Sequence, residues 1–153
     1  EYIPEIAALL TDPESRVYRS AAEALQSLTG QVFSNADFDI DQSARVWWDE
    51  HKNDPQYARR WKKLLADIAA KLRDPDDDVR RSAVHDLCKL GAKEHIPEIA
   101  VLIKDPNPDV REMTVWALGI LTDKYFPAWY AGNQAAQAWW EQHKNDPEFA
   151  PKR

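Results

Sequence analysis

Apolar positions recur at helical spacing in paired blocks along most of the chain. In the third pair Ile96, Ile99, Ala100, Leu102 and Ile103 form one short stripe, and Val110, Thr114, Ala117, Leu118 and Leu121 form a second. Residues three or four apart share a helix face, so each stripe predicts an amphipathic helix. The second stripe is repeated by Val79, Ala83, Leu87 and Leu90, and by Val17, Ala21, Ala24, Leu25 and Leu28. Asp-Pro stands between the stripes of each pair, at Asp12-Pro13, Asp74-Pro75 and Asp105-Pro106. Proline disfavours the helical conformation of the residue before it, so each Asp-Pro predicts a corner between antiparallel helices. Pro97 falls in a first turn, where its missing N–H had no helical partner. Asp78 and Asp109 fall where the second helices are expected to begin, with carboxylates placed as caps. Arg16 holds that place in the first pair, which leaves Asp12 or Ser15 to cap it. Small residues at Ala21, Ala83 and Thr114 permit close helix approach. Asp86 interrupts its stripe where Ala24 and Ala117 stand, and exposure is expected of it.

Asp74 and Asp105 lie 31 residues apart and Asp12 lies 62 before Asp74, so the pairs form units 2–30, 65–92 and 95–123. A fixed period of this length predicts hairpins stacked into an all-α, right-handed α-solenoid. A longer repeat overlies it. Trp47-Trp48 and Trp139-Trp140 are each followed by His-Lys-Asn-Asp-Pro, at His51 to Pro55 and His143 to Pro147. Residues 2–58 thus recur as 95–150, offset by 93 up to Phe33 and Phe126 and by 92 afterwards. The insertions, 31–55 and 124–147, each predict one more helix, Asp41 to Lys52 and Asn133 to Lys144, ended by Asn-Asp-Pro, with Asp41 and Asn133 as caps. Adjacent Trp residues point about 100° apart on a helix, so both border one wide apolar stripe and cannot stack on each other. The whole of 1–153 reads as one repeat domain and as a piece of a longer array.

Composition narrows the function more than the fold. A net charge of −6 argues against a protein that tracks phosphates with clustered Lys and Arg. The run Arg59-Arg60-Trp61-Lys62-Lys63 reads as the wet face of a helix whose apolar side is Trp61, Leu64, Leu65 and Ile68. One cysteine, Cys88, leaves no internal disulfide and fits a reducing, cytoplasmic setting. No membrane-spanning run is present.

These units resemble the HEAT-like repeat family, particularly the short bacterial form also found in phycobiliprotein lyases. The resemblance rests on Asp74-Pro75 with Asp78-Val79-Arg80, on Asp105-Pro106 with Asp109-Val110-Arg111, and on the Ala and Leu pattern after each. The first unit departs, with Arg16-Val17-Tyr18. Bacterial HEAT-like proteins often carry a similar Trp-rich insertion, opened here by Thr29-Gly30-Gln31 and Phe33; the second copy keeps Thr122 and Phe126 without that Gly. The resemblance implies a surface for protein partners, or, by way of the lyases, a groove for a tetrapyrrole or other flat ligand.

The residues carry little catalytic chemistry. His51 and His143 are copies of one helix end, His85 is on a wet face and His95 precedes a helix; none pairs with another ligand at helical spacing, so no metal site is expected. Cys88 lacks a neighbouring His and reads as a packed or partly exposed thiol. Asp76-Asp77-Asp78 read as solvated corner residues. No nucleophile elbow or phosphate loop occurs, and no catalytic residue or cofactor is assigned. Trp47, Trp48, Trp139 and Trp140 recur in both copies and read as scaffold. Trp116 differs. Its counterparts are Glu23 and His85, those of Ile120 are Ser27 and Lys89, and those of Glu112 are Arg19 and Arg81. A face polar elsewhere has turned apolar here, with Met113 nearby. Either it is an exposed contact patch, or a following repeat or the Tyr125 to Tyr130 loop covers it. The leading expectation is a non-catalytic scaffold offering Arg19, Glu23, Arg81, His85, Glu112, Met113, Trp116 and Ile120 to a protein or peptide. The alternatives are a flat-ligand or lyase-like subunit and an architectural spacer in a larger multidomain or designed chain.

Overall fold

The computed structural model describes residues 2–33, 40–127 and 130–149, and every regular element among them is helical. The chain forms two compact units, Glu1–Leu64 and Leu65–Arg153. Unit 1 holds α1 (Ile3–Ala8), a 3-10 turn Leu9–Thr11, α2 (Ser15–Thr29), α3 (Ile40–His51) and the first part of α4 (Pro55–Ala70). Unit 2 holds the rest of α4, α5 (Asp77–Lys89), α6 (Ile96–Val101), α7 (Pro108–Thr122) and α8 (Tyr130–His143), with 3-10 turns at Lys71–Arg73, Lys93–His95 and Leu102–Lys104.

Each expected hairpin is present. Asp12, Asp74 and Asp105 adopt extended backbone at ψ 139°, 142° and 141°, as the following proline demands. Within unit 1, α1 and α3 pack on α2; within unit 2, α5, α6 and α8 pack on α7. The predicted stripes supply much of the cores, with Val17, Ala24, Val79 and Leu90 only half-buried. Leu10, Ala21, Leu25, Ala44 and Trp48 are buried in unit 1, and Val84, Leu87, Ile99, Val110, Leu118, Leu121 and Ala136 in unit 2. Each fully buried aliphatic side chain contributes about 1.5–3 kcal/mol relative to exposure. Thr114, also buried, satisfies its hydroxyl by donating to Val110 O at 2.8 Å. Asp86 is exposed, as expected, with His85 Nδ1 3.5 Å away. Along α4, Trp61 and Leu65 are buried and Arg59, Lys62 and Lys63 are exposed. Leu28 departs from its stripe: it is exposed in the last turn of α2, whereas its counterpart Leu121 is buried.

The caps sit earlier than the sequence suggests. Asp76, not Asp78, caps α5 by accepting from Asp78 N at 2.9 Å, and Asn107, not Asp109, caps α7 by accepting from Asp109 N at 2.7 Å. The reason is a chain of side-chain turns through the corner. Asp74 Oδ1 accepts from Asp76 N, and Asp105 Oδ1 from Asn107 N, each at 2.9 Å. That places the next acceptor two residues on. In the first hairpin Asp12 Oδ1 accepts from Glu14 N at 2.8 Å, but the Ncap is Glu14 and makes no side-chain cap, so neither Asp12 nor Ser15 does so. Helices α3 and α8 begin at Ile40 and Tyr130, so Asp41 and Asn133 stand inside them and are not Ncaps. Replacing Asn107 or Asp76 by Ala is expected to cost about 1 kcal/mol in urea unfolding, and Glu14→Ala less than about 0.5 kcal/mol.

One ion pair ties the hairpins of unit 2 together. Arg80 of α5 donates from Nε to Asp105 Oδ2 at 2.8 Å and from Nη2 to Oδ1 at 2.9 Å, with side-chain exposures of 11% and 3%. Its Nη1 donates to Asp74 O and Pro75 O. Arg111 binds the next corner in the same manner, to Asp105 O at 2.7 Å and Pro106 O at 2.9 Å. The Arg80 guanidinium holds the Asp105 carboxyl below the ordinary carboxylate range, chiefly through this hydrogen bonding. Tyr18 stands where Arg80 and Arg111 do, and takes a cation–π contact from Arg45 at 5.4 Å instead.

Candidate functional site

The repeated insertions build one aromatic device twice. Thr29 Oγ1 donates to Leu25 O at 2.7 Å and Thr122 Oγ1 to Leu118 O at 2.6 Å, closing the two long helices alike. The chain then turns through a left-handed residue, Gly30 at φ 71° in one copy and Asp123 at φ 59° in the other. Asp tolerates this conformation better than most side-chain-bearing residues, so loss of the Gly leaves the turn intact. Phe33 and Phe126 follow, 5.7 Å from the Trp47 ring and 5.9 Å from the Trp139 ring.

The shared pentapeptide acquires its reason here. His51 stacks on Trp47 at 4.7 Å and 18°, and His143 on Trp139 at 4.9 Å and 20°. In each, Nδ1 lies 2.7 Å from the Trp carbonyl one turn back, so the ring N–H donates a second hydrogen bond to an oxygen in the last turn of the helix. Lys52 and Lys144 pair with Asp49 and Glu141 at 2.8 and 2.5 Å. Trp48 packs edge-on against Trp61 at 5.3 Å and 80°, whereas Trp47 and Trp48 are tilted at 39° rather than stacked. The histidines are thus structural partners of tryptophans.

The expected contact residues divide between the two units. Arg19 and Glu23 are exposed on α2 of unit 1. Arg81 and His85 on α5, and Glu112, Met113, Trp116 and Ile120 on α7, belong to unit 2. Trp116 is 44% exposed and Ile120 is 51% exposed, and residues 128–129 of the loop expected as one possible cover lie outside the described residues. His85 lies nearly parallel to Trp116, with ring centroids 6.1 Å apart and planes at 12°. Glu112, Trp116 and Ile120 are successive i, i+4 positions and share one face of α7. Met113 is half-buried beside them, and Arg81 has Asp78 3.5 Å away. The outcome is an aromatic shelf whose ring is held from one side by a neighbouring helix and open on the other. Val101, 69% exposed on α6, is a further apolar surface position and lies outside the predicted stripe.

Other chemistry-bearing groups lie elsewhere. Burial pushes the Cys88 thiol up to about 11, which keeps it protonated and a poor nucleophile near neutrality. The carboxylates of Asp76, Asp77 and Asp78 lie within 4.8 Å of one another. All three are engaged, Asp76 as the cap of α5, Asp77 as acceptor from Asn107 Nδ2 and Asp78 with Arg81 3.5 Å away. No helix among the described residues is long and apolar enough to cross a membrane.

The family model for HEAT repeats matches residues 65–138. This segment is built of HEAT repeats. It takes in α5, α6, α7, most of α8 and the Arg80 to Asp105 pair, so the stack of α5 on α7 is a HEAT-type α-solenoid arrangement. No curated protein and no solved structure matches the chain. HEAT repeats commonly serve as protein-interaction scaffolds, and the Trp116 shelf lies within the matched residues.

Proposed function

We propose that this chain is a non-catalytic scaffold that binds a protein or peptide through the α5 and α7 surface of its HEAT repeats, with Trp116 as anchor. The observation supporting this is the shelf itself. Trp116 and Ile120 are open to solvent at positions where the other repeats carry Glu23, His85, Ser27 and Lys89. A half-exposed Trp with His85 beside it, Glu112 one turn before it on α7 and Arg81 one turn before His85 on α5 matches the composition of interface hot spots, an aromatic centre with a charged rim. Arg19 and Glu23 offer a second exposed patch on unit 1.

The test is selection of peptides from a displayed library against the immobilised chain, followed by titration of the winners. Trp116→Ala is expected to weaken selected peptides about thirtyfold or more, the effect of losing a hot spot of about 2 kcal/mol. Its urea midpoint is expected to stay near that of the parent, because the ring is half out of water. Peptides that bind Trp116→Ala as well as the parent would overturn the assignment, and a collapse in stability would make Trp116 core.

A further inference from the structure

Unit 1 carries an open apolar groove of about 430 Å³ between α1 and α2, lined by Ile6, Leu9, Arg16, Val17, Ser20, Ala21 and Ala24. The internal repeat identifies what this surface is. At an offset of 93, Ile6, Leu9, Val17 and Ala24 correspond to Ile99, Leu102, Val110 and Ala117. In unit 2 those four are 0%, 8%, 0% and 0% exposed, whereas Leu9 is 45% exposed and Ile6, Val17 and Ala24 are only half-buried. The same stripe is sealed in one copy and open in the other.

What seals it in unit 2 is another hairpin of the same kind. Helix α5 packs on α7, brings Cys88 Sγ to 4.0 Å from Ala117 O, and sets Arg80 on Asp105. Asp12 is the counterpart of Asp105. In unit 1 its Oδ1 accepts from Glu14 N, as Asp105 Oδ1 does from Asn107 N, and its exposure is intermediate where Asp105 is buried. The groove therefore offers an aliphatic floor with Ser20 and Arg16 on its walls. Asp12, just ahead of it in the chain, holds the place of Asp105, which suits a helix that carries Arg one turn before a small aliphatic residue, as Arg80 precedes Val84. The α7 surface cannot supply the occupant from a second copy, because α8 and α5 already pack on α7.

We infer that the α1 and α2 groove of unit 1 is a docking surface for a further HEAT-type helical hairpin, whose second helix lies on Val17 and Ala24 and whose Arg pairs with Asp12. Glu1 corresponds to Glu94, so a copy of residues 65–93 joined directly ahead of Glu1 reproduces the junction between the second and third hairpins in register. In that extended protein Tm is expected to rise by about 5 °C or more in a single transition. Leu9→Glu, and separately Asp12→Asn, are expected to remove most of the rise while moving the unextended chain by less than about 2 °C, since Leu9 is half out of water there. Amide exchange in α2 is expected to slow at least tenfold in the extended protein. An unchanged transition of the original chain, or a rise that survives Leu9→Glu, overturns the inference. A concentration-dependent dimer of the unextended chain that Leu9→Glu dissolves also overturns it, by making a second copy the occupant.

Discussion

Asp105→Ala is expected to destabilise the protein by about 3–5 kcal/mol, lowering Tm by roughly 10 °C. The carboxylate is 3% exposed and receives both Nε and Nη2 of Arg80. Removing it leaves a cation held at the junction of two hairpins without its counter-charge, which costs more than the pair itself contributes. The Asn107 N–H also loses the acceptor that starts the capping turn of α7. Asp105→Asn retains that acceptor and is expected to fall between parent and Ala. The double change Arg80→Met with Asp105→Ala is expected to be less destabilised than Asp105→Ala alone, because the stranded charge is gone. Urea unfolding of the parent, Arg80→Met, Asp105→Ala and the double change decides this; if the two single changes simply add, the pair is not coupled.

The same pair sets an acid limit. The Asp105 carboxyl is held below its ordinary value, first by the Arg80 hydrogen bonds and against the opposing effect of burial. A depressed carboxyl contributes stability that is fully present above its unfolded value, about 3.9. That contribution fades as pH falls through the lower folded value. The parent is therefore expected to lose stability between about pH 5 and its folded value more steeply than Asp105→Asn, which has no proton to take up there.

Much of the fold was legible because two signals agree along the sequence. The period of 31 fixed hairpins and corners, and prolines at Pro13, Pro75 and Pro106 set the backbone of the residue before each. Caps were not legible to the residue. The corner Asp74-Pro75-Asp76-Asp77-Asp78 holds four carboxylates within five positions, and only the geometry of the turn selects Asp76. The starts of α3 and α8 were missed for a related reason: each begins ahead of the polar residue that resembled a cap. The contact surface was legible through disagreement between copies, since Trp116 and Ile120 stand against polar counterparts. Its stacked His85 was hidden, because it comes from the preceding repeat and no local spacing pairs the two. The repeated His-Trp stack was likewise visible only as an identical pentapeptide. The reason for it, a ring N–H donating to the carbonyl one turn back, lies in the helix geometry.

Trp48→Ala is expected to cost about 3–5 kcal/mol, against a small effect for Trp116→Ala, although both are tryptophans on helices. Trp48 is 5% exposed. Its ring meets Tyr57 at 5.8 Å and Trp61 at 5.3 Å, the latter edge-on at 80°, a geometry that adds about 0.5–1.5 kcal/mol beyond area burial. Truncation removes that contact and opens a cavity against the buried Ala44 and Trp61 side, which a single helix insertion has little means of collapsing. Trp48→Phe is expected to recover part of the loss, since it retains a ring without restoring the full volume. Trp47→Ala is expected to fall between Trp48→Ala and Trp116→Ala: the ring is half-buried, but it supports His51 and Phe33. Urea unfolding ranks the four, and near-ultraviolet circular dichroism should lose the coupled Trp signal in Trp48→Ala. A cost below about 1 kcal/mol for Trp48→Ala would mean that the inserted helix is an attachment to the solenoid rather than part of its core.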